Sequence, residues 1–385
     1  MPKHSKWMPI FFLLAGVLLF SFFPKTPNWF WMGQYSAPDF SLLGTGLPIF
    51  RPLIPFETIE WRIHQSNWLS DNFLYGVLSG ISLYLLFINC KGKWSTFFVT
   101  TGPLMIAIWY ASHGGPIYDI TAIFGIIGAA TIIRTLDYQT SVKRLILLGI
   151  FLSITDLSRP FGLTLCVFMM GYLFIKNRHA VFIPLITLVF LAAPFHINQL
   201  VRFQTVTLST YGGNNLMEAF NKAIPPDKDC YLFEATKNLD SLEAAKCAAI
   251  NQKKISKQLL KKPQLIFTAI NPERIFQTLF PQPIWHASNL DINNNIHIGL
   301  RYAFHALLAV LYGLAIWAII RPQRRAYKAL LLICFSYVVF TILIASWLSE
   351  VIRTYLPALA LITLLAQTKF NSPQPDEDQI KVSVA

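Results

Sequence analysis

Long apolar stretches separated by short polar connections are the main feature of this chain. Ten stretches have membrane-spanning character, and they lie at roughly residues 8–23, 72–90, 95–112, 119–134, 145–158, 161–175, 180–197, 301–320, 327–347 and 355–367. Several are shorter than the about 20 residues with which a helix crosses ~30 Å of hydrocarbon. Pro160 separates the fifth from the sixth, and Pro357 lies near the start of the last. The pattern predicts an all-α polytopic membrane protein with about ten transmembrane helices.

The polar connections differ in charge. Basic residues concentrate in alternate connections, at residues 3–6, 91–93, 134–144, 176–178 and 321–328. Alternate connections lie on one side of a membrane, and basic residues favour the cytoplasm, so we expect both termini to be cytoplasmic. The first stretch begins like a signal peptide, but no small-residue cleavage site follows it. We therefore expect a retained anchor.

The two longest connections lie on the opposite, extracytoplasmic side, at residues 24–71 and 198–300. They divide the chain into three parts. An N-terminal transmembrane module spans 1–197 and includes the first loop, the large loop spans 198–300, and the C-terminal helices with a short cytoplasmic tail span 301–385. We expect the two loops to carry the functional residues.

The net charge of +13 divides between the cytoplasmic connections and a Lys-rich run at 246–262. Basic residues beside a membrane attract anionic headgroups, so membrane lipids are expected partners. Nucleic acid is not an expected partner, because no aromatic residues that could stack on bases are interleaved with these cations.

The Lys-rich run falls on a predicted helix that begins at Asp240 or Ser241 and ends before Pro263. Its second half carries Lys253, Lys254, Lys257, Lys261 and Lys262. Two interpretations remain open. A basic amphipathic helix of this kind lies on a membrane interface, or its apolar face packs on a small core of the loop and its lysines face solvent. A second, short helix is predicted over residues 271–281.

The cysteines fall into two groups. Cys230 and Cys247 share the large outer loop, where an oxidising compartment would allow a disulfide, and both the bonded and the free state remain open. Cys90, Cys166 and Cys334 lie in or beside apolar stretches, where a thiol is usually an inert small hydrophobe.

Ionisable side chains gather at the outer ends of the apolar stretches. Each costs energy there unless it faces water or a partner, so each is a functional candidate. The set comprises Asp39, Glu57, Glu60, Arg62, His64, His113, Asp119, Asp156, Arg159, His196, Arg202, Arg301, His305, Glu350 and Arg353. The pairs Asp156/Arg159 and Glu350/Arg353 have the i, i+3 spacing of a local salt bridge. Alternatively, each arginine binds the phosphate of a lipid-linked substrate, which its fork of donors fits.

Four short motifs stand in a fixed order along the chain. The first outer loop holds Asp39 in YSAPDF, followed by FRPL at 50–53. The others are SRPFG at 158–162, LSTYGGNNL at 208–216 and SEVIRTYLP at 349–357. They are similar, in turn, to an acidic motif of the first outer loop, an Arg-Pro-x-Gly that opens a mid-chain span, a Gly-Gly-x-Asn-Leu segment of bacterial members and a closing Glu-x-x-Arg-x-x-x-Pro. Together they resemble the GT-C superfamily of membrane glycosyltransferases, which includes protein O-mannosyltransferases and aminoarabinose transferases of lipid A.

The resemblance implies a GT-C-like fold in a bacterial inner membrane. It implies transfer of a sugar from a polyprenyl-phosphate donor to a lipid, glycan or protein acceptor at the extracytoplasmic face. Asp39 is then the general base that takes the acceptor proton. The arginines bind the departing phosphate. The substrate-binding candidates are Arg353, Arg159, Arg202, Glu350, His113, Asp119 and Asn214.

Two points of the implied site stay open. Many members carry two adjacent acids in the first loop, whereas Asp39 stands between Pro38 and Phe40, which puts metal dependence in doubt. No cofactor is certain, and a divalent cation would have Asp39, His113 and Asp119 as ligands. His113 is otherwise a turn residue in a Gly-Gly-Pro loop, and that interpretation is favoured.

Three rival functions remain. An O-antigen-type polysaccharide polymerase or ligase has a similar number of spans and a large outer loop. A transporter would show internal repeats with matching broken helices, and the two halves of this chain show none. A non-catalytic assembly subunit is the third alternative.

Overall fold

A computed structural model of the protein describes residues 7–22, 71–90, 94–114, 118–136, 141–159, 162–203, 241–281, 294–320, 325–345 and 351–368, with short pieces at 216–217, 219–220, 222–225 and 230. Every regular element in this part is helical. The α-helices are α1 (Met8–Phe22), α2 (Asp71–Asn89), α3 (Trp94–Gly114), α4 (Tyr118–Leu136), α5 (Val142–Ser158), α6 (Gly162–Lys176), α7 (Phe182–Phe203), α8 (Ser241–Lys261), α9 (Ile266–Ala269), α10 (Pro272–Leu279), α11 (Asn294–Ile320), α12 (Arg325–Ala345) and α13 (Val351–Thr368). Short 3-10 helices at Arg178–Val181 and Pro263–Leu265 precede α7 and α9.

The ten predicted apolar stretches correspond to α1 to α7 and α11 to α13, with α7 and α11 extended at the ends predicted to be outer. Among the described residues, three segments are long and apolar enough to cross a membrane, at Asn72–Asn89, Arg178–Asn198 and Ile298–Ile320. Shorter apolar segments occupy α1, α3, α6, α12 and α13. The described part of the chain is therefore all helical, and its long apolar helices are compatible with the predicted membrane protein. The number of spans stays a prediction.

Helix α13 is the central helix of the bundle. Residues 354–367 are all buried, so the helix is covered on every side. It contacts α12, α11, α3 and α4, and more weakly α2 and α10. The helix begins at Val351 and continues through Pro357, which lies inside it rather than at its start. A helix that is apolar and enclosed all round serves as the core against which the other helices pack.

Helices α1 and α2 approach each other through glycines. A Cβ atom added to Gly76 would lie 2.6 Å from Val17 Cα, and one added to Gly80 would lie 2.6 Å from Phe12 O. Gly76 and Gly80 are spaced four residues apart and meet Gly16 of α1. Such small residues allow the close backbone contact that helices in membranes use in place of a hydrophobic driving force.

One end of the bundle carries a polar and aromatic set where α2 and α4 end and α3 begins. Arg134 Nη1 donates to the backbone oxygen and to Oδ1 of Asn89, both at 3.0 Å, and Asn89 Nδ2 donates to Thr131 Oγ1 at 2.6 Å. The ring of Trp94 packs against Phe87 with centroids 4.8 Å apart. This is the end predicted to be cytoplasmic. We therefore call the opposite end the outer end.

The large loop has a small core of its own. The outer-loop core consists of Met217, Phe220, Ile224 and Ile255. A disulfide joins Cys230 to Cys247, with Cα atoms 5.1 Å apart, which confirms that these cysteines pair. Helix α8 directs its apolar face into this core. Of the two interpretations of the Lys-rich helix, the one in which its apolar face packs on a small core of the loop is therefore correct for that face.

The short helix predicted over 271–281 is confirmed as α10, and its end is bound to α11. The Asn271 side chain caps it by accepting from the backbone N–H of Glu273 at 3.0 Å. Tyr312 Oη donates to the carbonyl oxygen of Leu279 at 2.5 Å, and His305 Nε2 donates to that of Pro281 at 3.1 Å. Helix α10 also contacts α12 and α13. The loop is therefore attached to the C-terminal helices.

Candidate functional site

The ends of α4 and α5 bring a buried ion pair together. Asp119 lies in the first turn of α4, where a negative charge suits the helix dipole. Arg159 follows α5 directly with extended backbone, and its Nη2 donates to Asp119 Oδ1. The Asp119 side chain is 1% exposed and the Arg159 side chain 9%. The two residues are 40 apart in sequence, so the fold alone pairs them.

A second acid and base meet beside the first pair. His196 Nε2 of α7 lies 2.7 Å from Asp156 Oδ2, which belongs to the last turns of α5. Asp156 is 2% exposed and the His196 side chain 14%. The local salt bridge between Asp156 and Arg159, suggested by their spacing, is wrong: each has its partner on another helix. The reason is that Arg159 lies beyond the helix in extended conformation, so the i, i+3 helical geometry does not apply to it.

Hydroxyl groups join the helices that carry these pairs. Ser158 Oγ donates to Thr121 Oγ1 at 2.7 Å, and both side chains are buried. Gly162, the first residue of α6, lies against the backbone of Thr155 and Asp156, where any Cβ atom would clash. The polar cluster thus consists of Asp119, Thr121, Asp156, Ser158, Arg159 and His196.

The two pairs share one electrostatic arrangement. In each pair the carboxylate is deeper than the basic group, since Asp119 and Asp156 are less exposed than Arg159 and His196. A buried carboxylate is costly without a partner, so each acid holds its basic partner in place. Arg159 and His196 are the less deeply buried members of the two pairs, and both side chains can donate hydrogen bonds to an anionic or polar ligand.

Three predicted site residues, Asp39, Asn214 and Glu350, lie outside the described residues, as does the first loop up to position 70. The interaction of Glu350 with Arg353 therefore stays a prediction.

Three others are described only by their place on a helix. Position 113 lies in the last turn of α3, position 202 in the last turn of α7 and position 353 in the first turn of α13. Position 113 is the last residue but one of α3, which ends at Gly114. Its side chain lies outside the described part, so the choice between a ligand and a residue satisfied by nearby backbone stays a prediction.

These helix ends belong to the same end of the bundle as the polar cluster. α3 ends shortly before Asp119, and α7 carries His196 near its end. Phe340, in the second half of α12, packs against Phe168 in the first half of α6, with ring centroids 6.2 Å apart. The short connection from Ala345 to Val351 then brings the start of α13 to this end. The helix ends that carry positions 113, 202 and 353 therefore lie at the same end of the bundle as the polar cluster. Their side chains lie outside the described part, so the clustering of these side chains stays a prediction.

Sequence reasoning placed Asp156 and His196 among the ionisable candidates but did not assign them to the site. The signal was available, because each is an ionisable residue at the outer end of an apolar stretch. What the sequence lacked was any indication that the two side chains meet. Thr121 and Ser158 gave no such signal.

The described residues include no group of three or more His, Cys, Asp or Glu side chains that could bind a metal ion. The proposed cation ligands Asp39 and His113 are not among the side chains described, so a divalent cation at that place is still only a prediction.

No protein-family model matches the chain, and no curated protein or solved structure is significantly similar to it. The resemblance to the GT-C superfamily therefore stays a prediction from the four motifs.

Proposed function

We propose that the chain is an integral membrane glycosyltransferase of GT-C type with about ten spans. It would transfer a sugar from a polyprenyl-phosphate donor to an acceptor at the extracytoplasmic face. The observation that supports this most is the polar cluster, in which two carboxylates hold Arg159 and His196 at the outer end of apolar helices. Charged groups are rarely kept among such helices without a function.

In the proposed reaction, an acceptor hydroxyl or amine attacks the anomeric carbon of the donor sugar. Asp39 takes the acceptor proton as the new bond to the sugar forms. The bond between the anomeric carbon and the phosphate oxygen breaks, and its electron pair leaves with the lipid phosphate. Arg353, Arg159 and Arg202 stabilise that charge, which is most effective in a water-poor site.

The remaining candidates have supporting roles. Glu350 orients Arg353, and His113 and Asn214 contact the acceptor. Asp119 differs from its first assignment, because it pairs with Arg159. It is therefore a positioning residue that holds the guanidinium group.

The test uses the purified full chain in lipid vesicles, given radiolabelled polyprenyl-phosphate sugars and membrane extracts as the acceptor source. Asp39→Asn keeps the size of the side chain but removes the base, so transfer should fall by about a hundredfold to ten-thousandfold. Asp71→Asn, the same change at the end of the same predicted loop, is the matched control and should transfer normally.

Equal activity of the Asp39 and Asp71 variants would remove the assignment of the base. Transfer of a whole glycan from a lipid diphosphate, with none from the monophosphate donors, would identify a polymerase or ligase instead. No transfer from either donor class would favour a transporter or an assembly subunit.

A further inference from the structure

The segment between Ala244 and Pro272 is unusually basic. It contains six lysines and no Asp or Glu. Four of the lysines, Lys253, Lys257, Lys261 and Lys262, are exposed. Since no acid of the segment neutralises them, they form a concentrated positive charge on the outer loop.

Helix α8 separates this charge from its apolar core contacts. Ile255 is fully buried in the outer-loop core. At about 100° per residue, Lys253, Lys257 and Leu260 lie on the opposite side of the helix. Leu260 is 86% exposed there. The face that carries Lys253, Lys257, Leu260 and Lys261 is called the lysine face below.

Large exposed apolar side chains continue after α8. Phe267 is 73% exposed and Phe276 is 62% exposed. Lysines next to an exposed leucine on one helix face, followed in the chain by exposed phenylalanines, are typical of surfaces that lie in the headgroup region of a bilayer. There the apolar groups enter the acyl boundary and the ammonium groups meet lipid phosphates.

Two attachments hold this surface close to the bundle. Helix α8 contacts α7, and α10 contacts α12 and α13. Tyr312 and His305 bind the end of α10 to α11. Because α7 and α11 carry apolar segments long enough to cross a membrane, the lysine face stays near the bilayer surface from which these helices emerge.

We propose that the lysine face, with Phe267 and Phe276, binds the anionic headgroups of the bilayer leaflet from which the large loop emerges. The ammonium groups bind lipid phosphates, while Leu260 and the two phenylalanines enter the acyl boundary. This arrangement differs from an amphipathic helix that buries its apolar face in lipid, because the outer-loop core already covers that face. The proposal does not depend on the glycosyltransferase activity.

The test uses the full chain carrying Leu260→Cys, labelled with an environment-sensitive fluorophore. The free cysteines Cys90, Cys166 and Cys334 are buried, and the other two are disulfide-bonded, so the label should go mainly to position 260. The protein is placed in vesicles of phosphatidylcholine, or of equal parts of phosphatidylcholine and phosphatidylglycerol. We expect the emission to shift to shorter wavelength only with phosphatidylglycerol, and the shift to shrink in high salt because salt screens exposed charges.

Replacing Lys253, Lys257 and Lys261 by Gln in the labelled chain should abolish the shift. Exposed lysines elsewhere provide the matched control, so Lys143→Gln with Lys222→Gln should keep it. A non-reducing gel that shows the Cys230–Cys247 disulfide establishes that the loop has folded in each variant. The salt titration tests, without any lysine substitution, whether the lysine charges cause the shift in emission.

Three outcomes would overturn the proposal. An equal shift in both kinds of vesicle would mean that the label is buried without regard to charge. No shift in either would mean that the lysine face is solvated. A shift that appears in phosphatidylcholine only after a soluble polyanion is added would assign the surface to a soluble anionic ligand.

Discussion

The buried ion pair between Asp119 and Arg159 allows a quantitative test of the polar cluster. The two side chains are 1% and 9% exposed, so water hydrates either charge poorly if its partner is removed. Asp119→Leu leaves the buried guanidinium group of Arg159 without its carboxylate, and Arg159→Met leaves the buried carboxylate of Asp119 without its guanidinium group. Breaking a buried pair in this way costs about 3 to 5 kcal/mol. Replacing both residues removes both charges and should cost less than either single replacement.

The free energy of unfolding of the four proteins, measured by denaturant titration in mixed micelles, forms a double-mutant cycle. We expect the double variant to be more stable than either single variant, with a coupling energy of about 3 kcal/mol or more. Asp156→Leu provides a comparison, because the imidazole of His196 can become neutral and should cost less when it is left alone. Additive losses in the double variant would show that the two side chains do not depend on each other, and would refute the pairing.

Three further predictions concern the packing of the chain. Replacing both Cys230 and Cys247 by Ser opens a closed loop with a sequence separation of 17 residues, so the free energy of unfolding of the outer loop should fall by about 3 kcal/mol. Limited proteolysis should then cut the loop faster. Unchanged cleavage would show that the outer-loop core is stable without the disulfide. Gly80→Leu should lower the melting temperature strongly, because a Cβ atom at this position meets the backbone of α1. Gly171→Leu is the control and should not, because no atom lies within 4 Å of a Cβ atom added there. Equal melting temperatures would contradict the close contact. Tyr312→Phe removes the hydrogen bond to the end of α10, so the attachment of α10 to α11 should be about 1 kcal/mol less stable. The backbone amides of α10 should then exchange hydrogen faster. Unchanged exchange in α10 would argue against the attachment.

The sequence by itself determined where the helices lie. Apolar runs long enough for a helix, bounded by polar or basic residues, predicted ten segments that are all helical in the structure. Local chemistry also predicted α8 and α10, because capping residues and prolines act on neighbours in the chain. Asn271 illustrates this, since its side chain accepts from an N–H two residues away. Such interactions need no information from the rest of the fold.

The glycine spacing in α2 is a sequence signal for close contact with another helix. Gly76 and Gly80 have a spacing that is common where helices in membranes meet closely. The sequence does not say which helix they meet, because an apolar helix offers similar side chains on all its faces. Hydrophobic periodicity, which identifies the buried face of a helix in water, carries little information in lipid.

Only the tertiary structure decided the partners of the charged residues and of the helix faces. Asp156 and Arg159 are three residues apart, yet their partners lie on α7 and α4, each 40 residues away. The same holds for α13, whose central position follows from contacts with helices across the whole chain. It also holds for α8, whose apolar face covers the outer-loop core. Local spacing determines which groups can meet along one helix, whereas pairing across helices depends on how the bundle packs, and no segment encodes that alone.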